Sequence, residues 1–440
     1  MLAKLRIVGV HLLILAIIAG GAVAASLTFG RETQALQVPP FPHLPVRVIA
    51  DPTSDPIDLA DDGVPPNIAG ARSRHARAAF RLMMVTPAGV SLRAGGTRVR
   101  WIATPRAVSD LARLATIVAD PSWISEPKPG VILLGAALIM ERGTGLTVAP
   151  PSVHLVRMMA TRPGVFLAAT HASLVIRSAA VTSSQPTYAG RYRPYVLAAE
   201  GSSMQITDSR LTGLGWNWPD SYGVAWKDGS TGGATGSTFT GDYFGLYTGQ
   251  VSGVNFTRNM VLGNYCYGID PHTYSSDLTI RANTVTGNGR HGIIFAAHVT
   301  GSTVAGNIVR GNGANGIMMD EASTGNVITA NTVTGNSGDG IVLSDSPANR
   351  VVANVVRGNR VGLRLTGTRP RGVEVLGNVF SGNGVNAQGL LSVAGNTVAS
   401  DARVRWNVDG LAVIWVLAAV LVTVTLMSFA LCLPADRQAR

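Results

Sequence analysis

The sequence predicts an all-β solenoid, a right-handed parallel β-helix with a short N-terminal cap and apolar transmembrane helices at both termini, on three observations. Near-copies recur at a fixed interval: LTIRANTVTGNGRHGIIF from Leu278, STVAGNIVRGNGANGIMM from Ser302, NVITANTVTGNSGDGIVL from Asn326, and a worn copy from Asn349. Asn259, Asn283, Asn307 and Asn331 follow one another at 24 residues, Asn354 after 23 and Asn378 after 24. Composition agrees, since 51 glycines, 14% charged and 6% aromatic residues in a chain of 440 fit a turn-rich β architecture better than a helical bundle. A leucine-rich repeat would need a leucine scaffold and a helix in each unit, and a propeller blade about twice this period. Stacked coils make a long groove, and a groove suits a polymer better than a small molecule.

Taken from the N-terminus, residues 1–28 read as a signal anchor. An uncharged apolar run over residues 7–27 is long enough for a bilayer core of about 30 Å, with Lys4 and Arg6 on the cytoplasmic side. The small residues Ala22, Val23, Ala24 and Ala25 leave a cleaved signal peptide open. Residues 29–75, with VPPFPHLPVRV and DDGVPPN, form a proline-rich linker. Residues 76–129 form a cap: FRLMMV and TRVRWI alternate as strands, and PRAVSDLARLATIVA, Pro105 to Ala119, has the spacing of a short amphipathic helix that could cover the first coil. From Gly130 short runs of β-formers divided by Gly or Pro merge into the repeats, so residues 130–404 form one β-helix domain. Residues 409–433 hold an uncharged stretch, LAVIWVLAAVLVTVTLMSFALCL, expected to cross the membrane and leave residues 434–440 as a basic cytoplasmic tail.

The body between the two spans is then expected at the cell membrane on its extracytoplasmic side, periplasmic or extracellular. That placement, and the lack of an interleaved aromatic platform, argue against nucleic acid as a partner. The net charge of +11, with Arg310, Arg350, Arg357, Arg360 and Arg364 on the coils, would steer an anionic polysaccharide instead. Cys266 and Cys432 lie too far apart to signal a disulfide framework or a metal centre, and no cofactor is expected. A monomer is expected, with an exopolysaccharide export machine as the setting for any further partner.

The repeat also serves as a ruler. After each ladder asparagine the chain reads GIDPHT at Gly268, GIIFAA at Gly292, GIMMDE at Gly316 and GIVLSD at Gly340. Ile269, Ile293, Ile317 and Ile341 share a column that must face the core, so alternation turns Asp270 and His272 outward. Ala296, Asp320 and Ser344 follow His272 in its column; Ile294, Met318 and Val342 follow Asp270. Just before the glycines stand Tyr267, His291, Asn315 and Asp339. The asparagine column is assigned to structure, its side chains bonding along the helix axis. The polar outliers gather on one face, and an Asp-Pro-His-Thr sequence among apolar strands marks that face as the candidate site.

YGIDPH, then RHGIIF, NGIMMD with an STGN turn, and DGIVLSDSPAN resemble the periplasmic alginate C5-epimerases, whose motif is Asp-Pro-His-Asp on a right-handed β-helix. PTYAGRYRPYVLAAEGSSMQITDSRLTGLGW, SYGVAW and FGLYTG extend the resemblance over residues 186–399. It implies that His272 takes the C5 proton of a uronate, that Asp270 is the first motif aspartate and that Asp320 is an acidic residue two coils on. Tyr267, Thr273, Arg290, His291 and Asp339 are the expected substrate contacts. Two positions depart from the pattern: Thr273 replaces the fourth motif residue, and Ala297 stands where the family has a charge-neutralising arginine. The proton α to a carboxylate is removable only if the enediolate charge is stabilised, so a cation must come from elsewhere; Arg290, His291 and His298 are nearest in sequence. The expected activity is C5 epimerisation of a uronic acid polysaccharide. A lyase, in which the same carbanion expels the 4-O substituent, and a non-catalytic glycan-binding protein remain alternatives. Metal handling by His272, Asp320, Met318 and His298 has little support, because these ligands are mixed in softness and form no compact motif.

Overall fold

The computed structural model describes residues 80–95, 97–161, 164–185, 192–367, 372–389 and 397–398. The expected terminal spans, the proline-rich linker and the basic tail lie outside these residues. Among the described residues no helix is long and apolar enough to cross a membrane.

The chain enters through an antiparallel meander of Arg81–Thr86, Gly89–Ala94 and Thr97–Ala103. Its first strand then pairs in parallel with Ala137–Met140, which joins the cap to the solenoid. The one helix among the described residues, Leu111–Val118, begins later than the sequence pattern suggests. Asp110 fixes the start: its backbone is extended and its carboxylate accepts from the Arg113 N–H at 2.9 Å. Ala119, in the left-handed region at φ 51°, ends it. Leu111, Leu114, Ala115 and Val118 are buried in the main core, so this face of the helix covers the end of the solenoid.

From Ala137 each coil contributes three short strands to three sheets, of 14, 10 and 13 strands. Within the solenoid the neighbours are parallel and in register, as in Ile293, Ile317 and Ile341. This is an all-β parallel β-solenoid with little helix. Branched side chains line the inward columns here: Ile269, Ile293, Ile317 and Ile341 share one continuous core with Val285, Val309 and Val333.

Where the coil turns, backbone groups point inward and must be satisfied without water. The asparagine column does this. Oδ1 of Asn283 accepts from both the backbone N–H (2.9 Å) and the side-chain amide (3.1 Å) of Asn259, while its own Nδ2 reaches back to Phe256 O at 2.8 Å. The chain of bonds continues through Asn307, Asn331, Asn354 and Asn378. A second ladder, absent from the sequence reading, repeats the geometry at Asn264, Asn288, Asn312, Asn336, Asn359 and Asn383. Asp242 heads it, donating its N–H to Asn264 Oδ1; burial pushes the Asp242 carboxyl well above its usual range. At the far end the Asn383 amide turns to Asn386 Oδ1, three residues on, at 3.1 Å.

The glycine before each core isoleucine is required by this second ladder. A Cβ on Gly292 would lie 2.5 Å from Val309 Cγ1 and 2.7 Å from Asn312 Nδ2, and Gly268 and Gly316 are equally hemmed in. Gly292→Ala is therefore expected to cost about 1–3 kcal/mol through overpacking, read as a lowered urea midpoint with an unchanged slope. An unchanged midpoint would show that the coil yields at this point.

Candidate functional site

Asp270, Pro271 and His272 lie on the strand Ile269–His272 of the 14-stranded sheet. Register fixes their neighbours. Tyr247 pairs with Asp270 and Gly249 with His272 on the preceding coil. On the following side Ile269 pairs with Ile293 and His272 bridges Ala296, after which Ile294, Met318, Val342 and Arg364 continue the Asp270 column. Ile294 clusters with outer-face residues such as Tyr247 and Ala296, apart from the main core, as alternation requires.

His272 is half-buried and held from several sides. Its Nδ1 lies 2.7 Å from Thr273 Oγ1, and its ring stacks on Tyr247 with centroids 6.0 Å apart. Ser275 donates to the His272 carbonyl at 2.8 Å and accepts from Thr248 at 3.1 Å. Thr273 and Tyr274 turn the chain away with φ of 36° and 53°. Asp270 is buried beside Tyr247. Burial first, then the charges of Tyr222 and Asp270, push the Tyr247 phenol well above its usual pKa, so it stays a protonated donor.

A second group lines the start of the same strands. Tyr222, Phe244, Tyr267 and His291 stack along the axis at 5.1, 4.9 and 5.4 Å. The Arg290 guanidinium lies over the Tyr267 ring at 5.2 Å, within cation–π range. His291 Nδ1 accepts from the Asn315 N–H at 3.2 Å, which leaves the proton of the neutral ring on Nε2. Asn315 Oδ1 in turn accepts from Asp339 N at 2.9 Å, and the buried Asp339 carboxylate meets Arg360 at 3.0 Å and Arg364 at 2.5 Å.

The residues singled out in the sequence thus form two groups on one sheet face. His272 and Thr273 stand at one edge and Tyr267, Arg290, His291 and Asp339 at the other, with Asp270 in the column between. Four peptide steps from Gly268 to His272 set the edges about 13 Å apart, with Ile294 and Met318 on the floor between them. Asp320 follows His272 in column but two coils away, about 10 Å, and its Oδ1 caps its own turn by accepting from Glu321 N at 3.0 Å. Ala297 sits in a left-handed turn at φ 59°, and His298 stacks on Tyr274 at 4.9 Å.

Sequence reading passed over Tyr247 and Lys227. Lys227 aligns with Gly249 and hence with the His272 column. It is buried in an ion pair with Asp220 at 2.6 Å; burial raises the Asp220 carboxyl and Lys227 pulls it back. The signal was present in FGLYTG, since stepping back 23 residues from Asp270 arrives at Tyr247.

Fold and motif define a parallel β-helix protein that carries Asp-Pro-His on the outer face of one sheet. Among curated proteins it is similar to mannuronan C5-epimerases: 26% identical over 178 residues to that of Pseudomonas fluorescens, covering 36% of this chain and 33% of the relative. To the Pseudomonas aeruginosa enzyme it is 28% identical over 191 residues, covering 39% and 34%. The matched region thus spans about a third of the length of these relatives. Among solved structures, the periplasmic alginate epimerase AlgG superposes with a TM-score of 0.59 at 24% identity over 68% of this chain and 73% of that one. A double mutant of AlgG gives 0.56 at 25% identity over the same shares. A family model described as periplasmic copper-binding protein (NosD) matches residues 220–410. The chain therefore resembles the alginate C5-epimerases in both sequence and fold.

The described residues do not suit copper. Among them no three His, Cys, Asp or Glu side chains come together, the Met318 sulfur accepts from Asn315 at 3.5 Å, and His298 is stacked on Tyr274.

Proposed function

We propose that this protein is a C5-epimerase of a mannuronan-like uronic acid polymer, working in the periplasm and held at the membrane by its apolar terminal segments. The observation that carries this reading is the posture of His272: outward-facing, half-buried, stacked on Tyr247 and bonded through Nδ1 to Thr273. When Nδ1–H donates to Thr273 Oγ1, Nε2 presents the lone pair that a base needs. Thr273 supports that tautomer by accepting from Nδ1–H, which gives the departure from the family motif a physical role. Asp270, buried next to Tyr247, orients this edge of the site.

A polymer lying along the axis would rest on Ile294 and Met318 between the two edges. His272 takes the C5 proton, and the enediolate charge builds on the carboxylate. Arg290, over Tyr267 on the other edge, would stand in for the arginine replaced by Ala297 by swinging across the floor to the enediolate, and His291 adds an Nε2–H donor on its own side. A solvent-derived proton delivered to the opposite ring face completes the inversion, and His272 releases to water the proton it took.

Incubating the purified full chain with polymannuronate in deuterated water is expected to place deuterium at C5 with inverted configuration. New unsaturated chain ends would mean β-elimination, and polymer that binds without labelling would mean a glycan-binding protein; either result sinks the reading.

A further inference from the structure

The five arginines singled out in the sequence are not equivalent. Arg310 and Arg357 lie on strands of the 13-stranded sheet. Arg350 lies on the 10-stranded sheet, in an exposed one-to-one pair with Glu374 at 2.7 Å. Arg360 occupies a turn. Of the five, only Arg364 stands in a strand of the sheet that carries His272. It occupies the outer column of Asp270, beyond Ile294, Met318 and Val342.

Charge around it does not cancel. Asp339 presents one carboxylate, its side chain 3% exposed, to two guanidiniums, Arg360 at 3.0 Å and Arg364 at 2.5 Å. Asp339 alone therefore leaves one of the two guanidinium charges unmatched. Asp339 is too enclosed to meet a ligand, so its effect is to hold the two arginines. The bond to Asp339 uses Nε of Arg364, and its two terminal nitrogens have no partner among the described residues. That side chain is 24% exposed, half-sunk beside an apolar floor, where a guanidinium fork binds a carboxylate far better than in open water. Arg360, 62% exposed, is screened and contributes less. On the other side of His272, the buried Lys227 is already matched by Asp220.

We propose that Arg364, set by Asp339 and flanked by Arg360, is a remote carboxylate-binding subsite that grips the same uronic acid chain four coils from His272. The inference rests on the reading of this face as a uronan site. Four coil spacings are about 19 Å, and an extended 1,4-linked hexuronate advances roughly one spacing per sugar. The carboxylate held by Arg364 therefore belongs to the fourth sugar beyond the reacting one. Chains too short to span both positions lose this contact, so affinity depends on length.

Titrating the full chain with oligomannuronates of four and eight residues tests this. Affinity is expected to rise about tenfold from the shorter to the longer, and Arg364→Gln should abolish that gain. Arg364→Lys, which keeps charge but loses the fork, should retain part of it. A neutral glucan of eight residues should show no gain. A loss in Arg364→Gln equal at both lengths, a gain that persists in it, or no binding of either oligomer would overturn the subsite. Should Arg364→Gln fail to fold, the neutral glucan and Arg364→Lys comparisons decide. If the length-dependent gain is present while deuterium never enters C5, the subsite stands and the epimerase reading falls.

Discussion

His272→Ala is expected to lower deuterium exchange at C5 by about 10²–10⁴-fold while the protein stays folded. Loss of the imidazole removes the group whose neighbours prepare it as a base on this edge: the Thr273 bond at 2.7 Å and the Tyr247 stack. The substitution should spare the fold because His272 faces outward, and the bonds that hold its turn run through its backbone carbonyl and Ser275. Its melting temperature should move by only a few degrees, and the variant should still bind the polymer. Exchange that continues at the wild-type rate would place the base elsewhere.

The second large effect is expected at Asn307→Leu. Asn307 Oδ1 accepts from the backbone N–H and side-chain amide of Asn283 at 2.9 and 3.0 Å, and its Nδ2 donates to Ile280 O and Asn331 Oδ1, both at 2.9 Å. A leucine of similar volume removes all four bonds and leaves partners buried, each at about 1–3 kcal/mol. Relaxation recovers part of this, so a net loss of about 3–6 kcal/mol is expected, against a typical domain stability of about 5–15 kcal/mol. Asn255, whose amide reaches Gly253 O on the exposed surface, is the control, and its alanine variant should change stability by about 0.5 kcal/mol or less. Equilibrium urea unfolding reads both, and equal losses would mean that the ladder carries no special share of stability.

Much of the solenoid could be read from the sequence because a coil that stacks on its copy must repeat its turns and its inward residues. Ile269, Ile293, Ile317 and Ile341 were placed by period alone, and the structure puts them in one core column. The second asparagine ladder carries the same interval and was equally legible. What escaped did so where the period slips. From Val342 the partner on the next coil is Arg364, 22 residues on, so a 24-residue ruler points at Thr366 and leaves Arg364 among the surface arginines. Tyr247 sits 23 residues before Asp270, on a coil whose sequence no longer resembles the repeats. Contacts such as Arg290 on Tyr267 depend on side-chain direction across a turn, which no spacing encodes.

The bond from Asn383 to Asn386 has a consequence for the protein in a crowded compartment. Every rung of the ladder offers its amide to the next coil, so an unfinished end is a template on which a second molecule could continue the stack. By accepting the Asn383 amide, Asn386 takes the place of the next rung, while its own Nδ2 stays buried without a hydrogen-bond partner among the described residues. Among the described residues the ladder therefore closes on its own chain rather than on an asparagine of a further coil.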